Sequence, residues 1–338
     1  MLLISIGGLG YVLVSMKSSS DITRPAEGTL PRSKLSPEQE ATPSSAREIN
    51  TSIPIPLLGK FYRGITYPMR ILPDFLIIGT QRGGTTSLFH YLQGHPSIKP
   101  AVNKDLHFFD RKYNKGLPWY QGHFPTRIER YYVQRIRKHS FLTGEASPSY
   151  MFHPYTPKRV AETLPHVKLI VMLRNPVSRA YSQYHHAVEL GHETLSFEEA
   201  IETEQGRIGG EHQRILENEH YYSEDYKHRS YLSKGIYVDQ LQTWMKLFPR
   251  EQFLILKSED FYADPSTVFK QVLTFLNVPE TELRLEKNEF KNYNNNVYSS
   301  KMDPAMRKRL IEYFKPHNAR LYDFLGVNFD WDKSSTRA

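Results

Sequence analysis

The residues of this chain best suited to chemistry are those that could hold an anion. The stretch Gly79-Thr80-Gln81-Arg82-Gly83-Gly84-Thr85-Thr86-Ser87 sets glycines, consecutive hydroxyls and one guanidinium side by side. Backbone N–H groups, hydroxyl donors and an arginine are what a phosphate or sulfate binds. The spacing from Gly79 to Gly84 matches a nucleotide-triphosphate loop, but the Lys-Ser/Thr pair expected next is replaced by Thr85-Thr86. The lysine that neutralises a β/γ-phosphate pair is therefore missing, and the cation stands earlier, at Arg82. The loop suits a nucleotide with one 5′-phosphate carrying something less charged. Its alternative is an ordinary turn between a strand and a helix.

A second group lies at Arg174 and Ser182. Arg174 follows the apolar run Lys168–Leu173, and Asn175-Pro176 then reads as an N-cap and first helical residue. A magnesium-binding strand of a triphosphatase would end in aspartate here, whereas this one ends in arginine. Both departures point to anion binding without a metal. A third group, Lys104-Asp105-Leu106-His107-Phe108-Phe109-Asp110, mixes charge with aromatics. Leu106, Phe108 and Phe109 anchor in a core, leaving Asp105 and His107 two apart on an extended segment to face one cleft. The alternative is that Asp105 caps a turn and His107 is an ordinary surface histidine.

The elements that must position these groups are legible as alternating strands and helices. Phe75–Ile78 reads as a buried strand and Thr85–Leu92 as a helix with Leu88, Tyr91 and Leu92 on one face. Phe141–Glu145, Lys168–Leu173 and Phe253–Leu256 are further strands, the second apolar enough for the middle of a parallel sheet. Helices follow from Pro176, from Ser196 with Glu199 as a capping box, over Val238–Phe248, and from Asp264-Pro265. Asp303-Pro304 opens the last helices, interrupted by Pro316 and stopped by Gly326. Glu211–Tyr237 reads as a long surface insertion and Lys291–Val297 as a loop. The fold class is α/β, a P-loop-like three-layer fold with a central, mostly parallel sheet flanked by helices.

The chain of 338 residues carries 44 Lys and Arg against 36 Asp and Glu, which favours an anionic ligand. It has no cysteine, so disulfides, thiol catalysis and cysteine-bound metals are excluded. Residues 1–16 lack charged side chains and read as a membrane anchor, although they are shorter than the ~20 residues of a full span. Lys17 and Arg24 follow it, which under the positive-inside rule argues against a lumenal C-terminus. Residues 17–66 read as a flexible stem, 67–332 as the folded domain and 333–338 as a tail.

With these loops in hand, the chain resembles the PAPS-dependent sulfotransferases, in particular the heparan-sulfate and carbohydrate branch. The likeness spans roughly Pro73 to Trp331. It rests on Thr80–Leu88, Lys104–Phe109 and Leu173–Ser182. The resemblance implies that Arg82, Gly83, Gly84, Thr85, Thr86 and Ser87 hold the 5′-phosphosulfate of PAPS, and that Arg174 and Ser182 hold its 3′-phosphate. It implies Asp105 as the acceptor base, with His107 as the competing choice, and Arg82 as electrostatic help to the leaving group. Arg82 stands where the family usually has lysine, and Asp105 where it usually has glutamate. A carbohydrate acceptor, no metal, no nucleic-acid partner and, in a eukaryote, a Golgi membrane location with a lumenal catalytic domain complete what it implies. An atypical P-loop kinase and a catalytically silent nucleotide- or polyanion-binding module are the other readings.

Overall fold

Four short segments line up in parallel to make the sheet on which everything else rests. They are β1 (Phe75–Gly79), β2 (Gly144–Ala146), β3 (Lys168–Leu173) and β4 (Phe253–Lys257), in the order β2-β1-β3-β4. The register pairs Phe75 with Lys168 and with Gly144, and Leu169 with Phe253. The computed structural model describes residues 55–279 and 301–332, together with the backbone of Leu2–Ser5 and Tyr11–Val14.

Successive residues of a strand face opposite sides, and each side of this sheet has its own core. Leu76, Ile78, Leu169, Val171 and Leu173 share one cluster with Phe108, Phe109, Tyr120 and Trp244. Phe75, Ile77, Ile170 and Met172 share the other with Leu88, Leu92, Val268, Phe269 and Val272. The first face is covered by the segment around Phe108 and by the helix Tyr237–Met245, the second by the helices Thr85–Gln93 and Pro265–Leu276. Helix, sheet, helix is the three-layer α/β arrangement that the alternation of strands and helices predicts. The helix α1 (Thr85–Gln93) follows β1, and α2 (Pro176–Glu189) follows β3. A further cluster joins Val177 and Ala180 of α2 to Phe197, Ile201, Leu310 and Phe314.

Three expectations change. The strand expected over Phe141–Glu145 is only Gly144–Ala146, and Leu142 makes a lone parallel bridge to Ile98 instead. The segment Glu211–Tyr237 is not a surface insertion. It forms helical turns at Glu211–Glu217 and Glu224–His228, and buries Tyr226, Tyr231, Lys234 and Tyr237, because its tyrosines are used for packing. Pro316 does not interrupt the last helix, which runs unbroken over Pro304–Leu325. Buried Met306, Leu310, Phe314 and Leu321 hold it on both sides of the proline, so tertiary packing offsets the lost backbone hydrogen bond. Gly326 ends it in the left-handed conformation, as its position suggests. The loop Lys291–Val297 lies outside the described residues.

Leu2–Ser5 and Tyr11–Val14 pair antiparallel. Among the described residues no helix is long and apolar enough to cross a membrane. A helix over Ile55–Thr66 occupies the end of the segment read as stem.

Candidate active site

The loop Gly79–Gly84 is shaped by the end of the neighbouring strand. Thr80 N donates to the carbonyl of Met172 at 2.9 Å, which lays the loop across β3. A Cβ on Gly83 would come within 2.6 Å of that same carbonyl oxygen. Gly84 has φ +90°, a conformation other residues rarely take, and directly precedes Thr85, the first residue of α1. The glycines are thus required by backbone approach, and the positive end of α1 follows directly on the loop. Ser258 Oγ donates to Gly83 O at 2.7 Å and fixes it from β4's side. Thr85 and Ser87 are buried and Thr86 half-buried.

The second anion loop meets the first. Asn175 caps α2 by accepting from the backbone of Val177 and Ser178, at 3.0 and 3.2 Å. This sets Arg174 and Ser182 on the same corner of the sheet as Arg82. Arg82 Nε donates to Ser182 Oγ at 3.0 Å, and Arg174 Nη1 donates to the Arg82 carbonyl at 3.0 Å. Arg82 has φ +68°, an uncommon conformation for a side-chain-bearing residue. Tyr237 OH donates to the Arg174 carbonyl at 2.7 Å and braces the corner from beneath. The result is two guanidiniums, glycine N–H groups and hydroxyls at the carboxyl ends of adjacent parallel strands, the place where open α/β sheets bind ligands.

The third group is arranged differently from the extended segment expected. Asp105 and His107 have φ +58° and +54°, so the two-residue alternation does not apply to them. Asp105 is ion-paired with Lys104, whose Nζ lies 2.8 Å from Oδ2. It lines a cavity of about 530 Å³ together with Phe89, Lys112 and Trp119. His107 Nδ1 lies 3.0 Å from Asp110 Oδ2 and 3.1 Å from Ser149 Oγ. Ser149 Oγ also donates to Asp110 Oδ2 at 2.6 Å. Burial pushes the Asp110 carboxyl up, but the hydrogen bond and charge of His107, with Ser149 and Arg111, outweigh it and hold the group at about 2. Asp110 is therefore an anion that orients an imidazole.

Asp110 faces a second cavity of about 370 Å³, where Arg111, Arg159, Lys227 and Lys234 make the wall basic. Lys234 links this cavity to the donor loop: its Nζ donates to Gln81 Oε1 at 2.9 Å and to the Lys227 carbonyl. Burial brings its amine down to about 7, with nearby Arg179 acting in the same direction and Glu204 opposing. Beneath residues 105–110, Glu145 is fully buried and accepts from Tyr120, Ser147 and Tyr150 at 2.7, 2.8 and 2.9 Å. Burial raises its carboxyl to about 7 against those three hydrogen bonds.

The structure also brings Asp110, Ser149, Lys234 and Glu145 beside the residues singled out in the sequence, which the sequence reading did not single out. The only signal available was Asp110 three residues after His107. Among the described residues one group of side chains could hold a metal ion, His192, Glu224 and His228, and none of them belongs to the two anion loops.

The profile of the family described as "Sulfotransferase domain" matches residues 72–319. The chain is 30% identical over 352 residues to the membrane-associated sulfotransferase kil1 of Dictyostelium discoideum, covering 85% of this chain and 70% of that protein. It is 27% identical over 326 residues to human heparan sulfate glucosamine 3-O-sulfotransferase 3B1, covering 91% of this chain and 73% of that one. A solved sulfotransferase from Alicyclobacillus acidocaldarius superposes with a TM-score of 0.57 and 31% identity, over 78% of this chain and all of that one.

Proposed function

From the sulfotransferase family, to which this chain belongs, we propose an enzyme that moves a sulfuryl group from PAPS, the family's donor, to a hydroxyl or amine of a polysaccharide containing amino sugars. The observation that carries this reading is the corner at which Arg82, Ser182 and Arg174 meet. Gly83 to Ser87 with Arg82 would take the 5′-phosphosulfate, and Arg174 with Ser182 the 3′-phosphate. The acceptor class is carried over from relatives named for heparan sulfate glucosamine, and the basic wall of the Asp110 cavity suits a polyanion.

In this reading Asp105 removes the acceptor proton; it lines the cavity that includes Phe89, whereas Asp110 faces the basic one and holds His107, so the acceptor would have to reach across both. Two left-handed, non-glycine residues within three positions are strain of the kind that functional segments retain. Transfer is in line, and Arg82 with the N–H groups at the start of α1 stabilises the charge that grows on the leaving phosphate. A sulfuryl group carries less charge than a phosphoryl group, so these donors suffice without a divalent metal. A second reading, favoured by the 3.0 Å contact of His107 with Asp110, makes His107 the base and Asp105 the positioning group. Residues 1–16 would anchor the chain, in a eukaryotic host at a Golgi membrane; the lumenal domain that the resemblance implies stands against Lys17 and Arg24, which follow the apolar segment.

The test is incubation with radiolabelled PAPS and a panel of polysaccharides in excess EDTA. Label should enter an amino-sugar polymer at the rate seen without EDTA. A need for Mg²⁺ with transfer from ATP would overturn the reading in favour of a kinase. Donor binding without transfer to any acceptor would favour a silent binding module.

A further inference from the structure

The segment Arg127–Ile136 is helical throughout, an α-turned stretch to Tyr131 that continues over Tyr132–Ile136. Only one of its side chains, Val133, is buried. Ile128, Tyr131 and Ile136 are 62%, 62% and 63% exposed, and Tyr132 is exposed beside them. Spacings of three, four and eight residues put these four on one side of a helix. Arg127, Arg135, Arg137 and Lys138 are also exposed, against one exposed acid, Glu129.

A second exposed stripe lies on the helix that precedes Arg70. Phe61 and Ile65 are 69% and 61% exposed on the helix Ile55–Thr66, with Tyr62 and Met69 exposed alongside. The two segments are joined at their ends. Arg70 bridges Thr126, Ile71 N donates to Pro125 O at 3.0 Å, and Arg70 Nη1 donates to Phe124 O at 2.5 Å. Exposed Ile and Phe have no hydrogen bonds to offer a polysaccharide. The arginines around them fit a negative partner that also accepts hydrocarbon. Both demands are met together by a lipid surface, where apolar residues enter the headgroup boundary and basic residues meet anionic headgroups.

We propose that the folded domain itself docks on an anionic membrane through this face, formed by Phe61, Ile65, Ile128, Tyr131, Tyr132 and Ile136. The proposal rests neither on the sulfotransfer reading nor on an anchor at the N-terminus. It would hold the acceptor-binding domain against the bilayer rather than free on a stem.

The absence of cysteine makes a local probe straightforward. The full chain is prepared as Ile128→Cys and, separately, as Lys315→Cys on the exposed side of the last helix, each labelled with an environment-sensitive fluorophore. Vesicles of phosphatidylcholine alone and with 30% phosphatidylserine are added. The expected result is a blue shift at position 128 and none at 315, only with the anionic vesicles, and suppressed by 0.5 M salt. Ile65→Asp/Ile136→Asp in the position-128 variant should weaken vesicle binding at that face by about tenfold or more, with far-ultraviolet circular dichroism and sulfuryl transfer unchanged. Equal shifts at both positions, or none at 128, would overturn the proposal. A shift produced by soluble heparin instead of vesicles would reassign the face to polyanion binding. A shift that grows with protein concentration alone would reassign it to a second copy of the chain.

Discussion

Around Gly83 and Gly84 the geometry is set by backbone: a carbonyl of β3, a left-handed glycine and the first turn of α1. Around Asp105 to Asp110 it is set by side chains from distant parts of the chain, Ser149 on His107 and Asp110, and Tyr150 on the backbone of Phe108. A backbone-built anion site keeps its shape when one side chain is removed and loses mainly that side chain's charge. A side-chain-built site can lose orientation and chemistry together. The two regions should therefore respond differently to single substitutions.

The largest effect is expected at the acceptor segment. Asp105→Ala should reduce turnover by ~10²–10⁴-fold and leave binding of adenosine 3′,5′-bisphosphate intact by calorimetry. Asp105→Glu, which restores the residue usual in the family, should retain substantial activity. His107→Ala should lose less, through acceptor positioning. If His107→Ala abolishes turnover while Asp105→Ala barely changes it, the two roles exchange.

Beneath that segment, Glu145 gives a pH signature. Its folded carboxyl is raised to about 7 from 4.5. A raised folded value means stability that is fully present below the unfolded value, near 4.5, and is lost as pH climbs through 7. Glu145→Gln removes the titration, so the variant should gain on the native chain by on the order of 2–3 kcal/mol between pH 5 and pH 8. Urea unfolding at the two pH values measures this. A pH-independent difference would mean that the carboxyl is already ionised in the folded chain.

What could be read from the sequence follows the same division. The strands at Phe75 and Lys168, the cap at Asn175 and the capping box at Ser196 depend on residues within a few positions of one another, and all form. The turn at Gly79–Gly84 was legible because its glycines act through local backbone between a strand and a helix. Asp110 was not, because its burial and its bond to Ser149, thirty-nine positions away, are tertiary and leave no mark beside His107 in the sequence. Lys234 looked like part of a solvated insertion until the burial of its neighbours placed it against Gln81. The extended reading of Asp105 and His107 failed because two left-handed residues interrupt the segment, and no glycine signals them.

On the donor side a smaller, more selective loss is expected. Arg174→Ala should cost about 2 kcal/mol, as for other charge-assisted contacts, and the loss should fall on the preference for adenosine 3′,5′-bisphosphate over adenosine 5′-monophosphate. Calorimetry with both nucleotides separates this from general damage. Equal weakening of the two would mean that Arg174 acts only by bracing the Arg82 carbonyl.

The smallest effect tests whether the acceptor segment really works through orientation. Ser149 Oγ gives its hydrogen to Asp110 and lies 3.1 Å from His107 Nδ1, so it holds both members of the pair without being either. Ser149→Ala removes one hydrogen bond to a charged group, worth about 1.5–3 kcal/mol at most and less where water replaces it. Turnover should fall by about tenfold with donor affinity unchanged. Rescue carries the decision. Asp110, held at about 2 partly by Ser149, stays ionised through the neutral range even when that bond is lost, so its charge beside His107 persists and only the orientation loosens. Ser149→Thr, which keeps the hydroxyl, should restore the rate. A fall in rate that threonine does not rescue would make Ser149 a packing residue and leave His107 oriented by Asp110 alone.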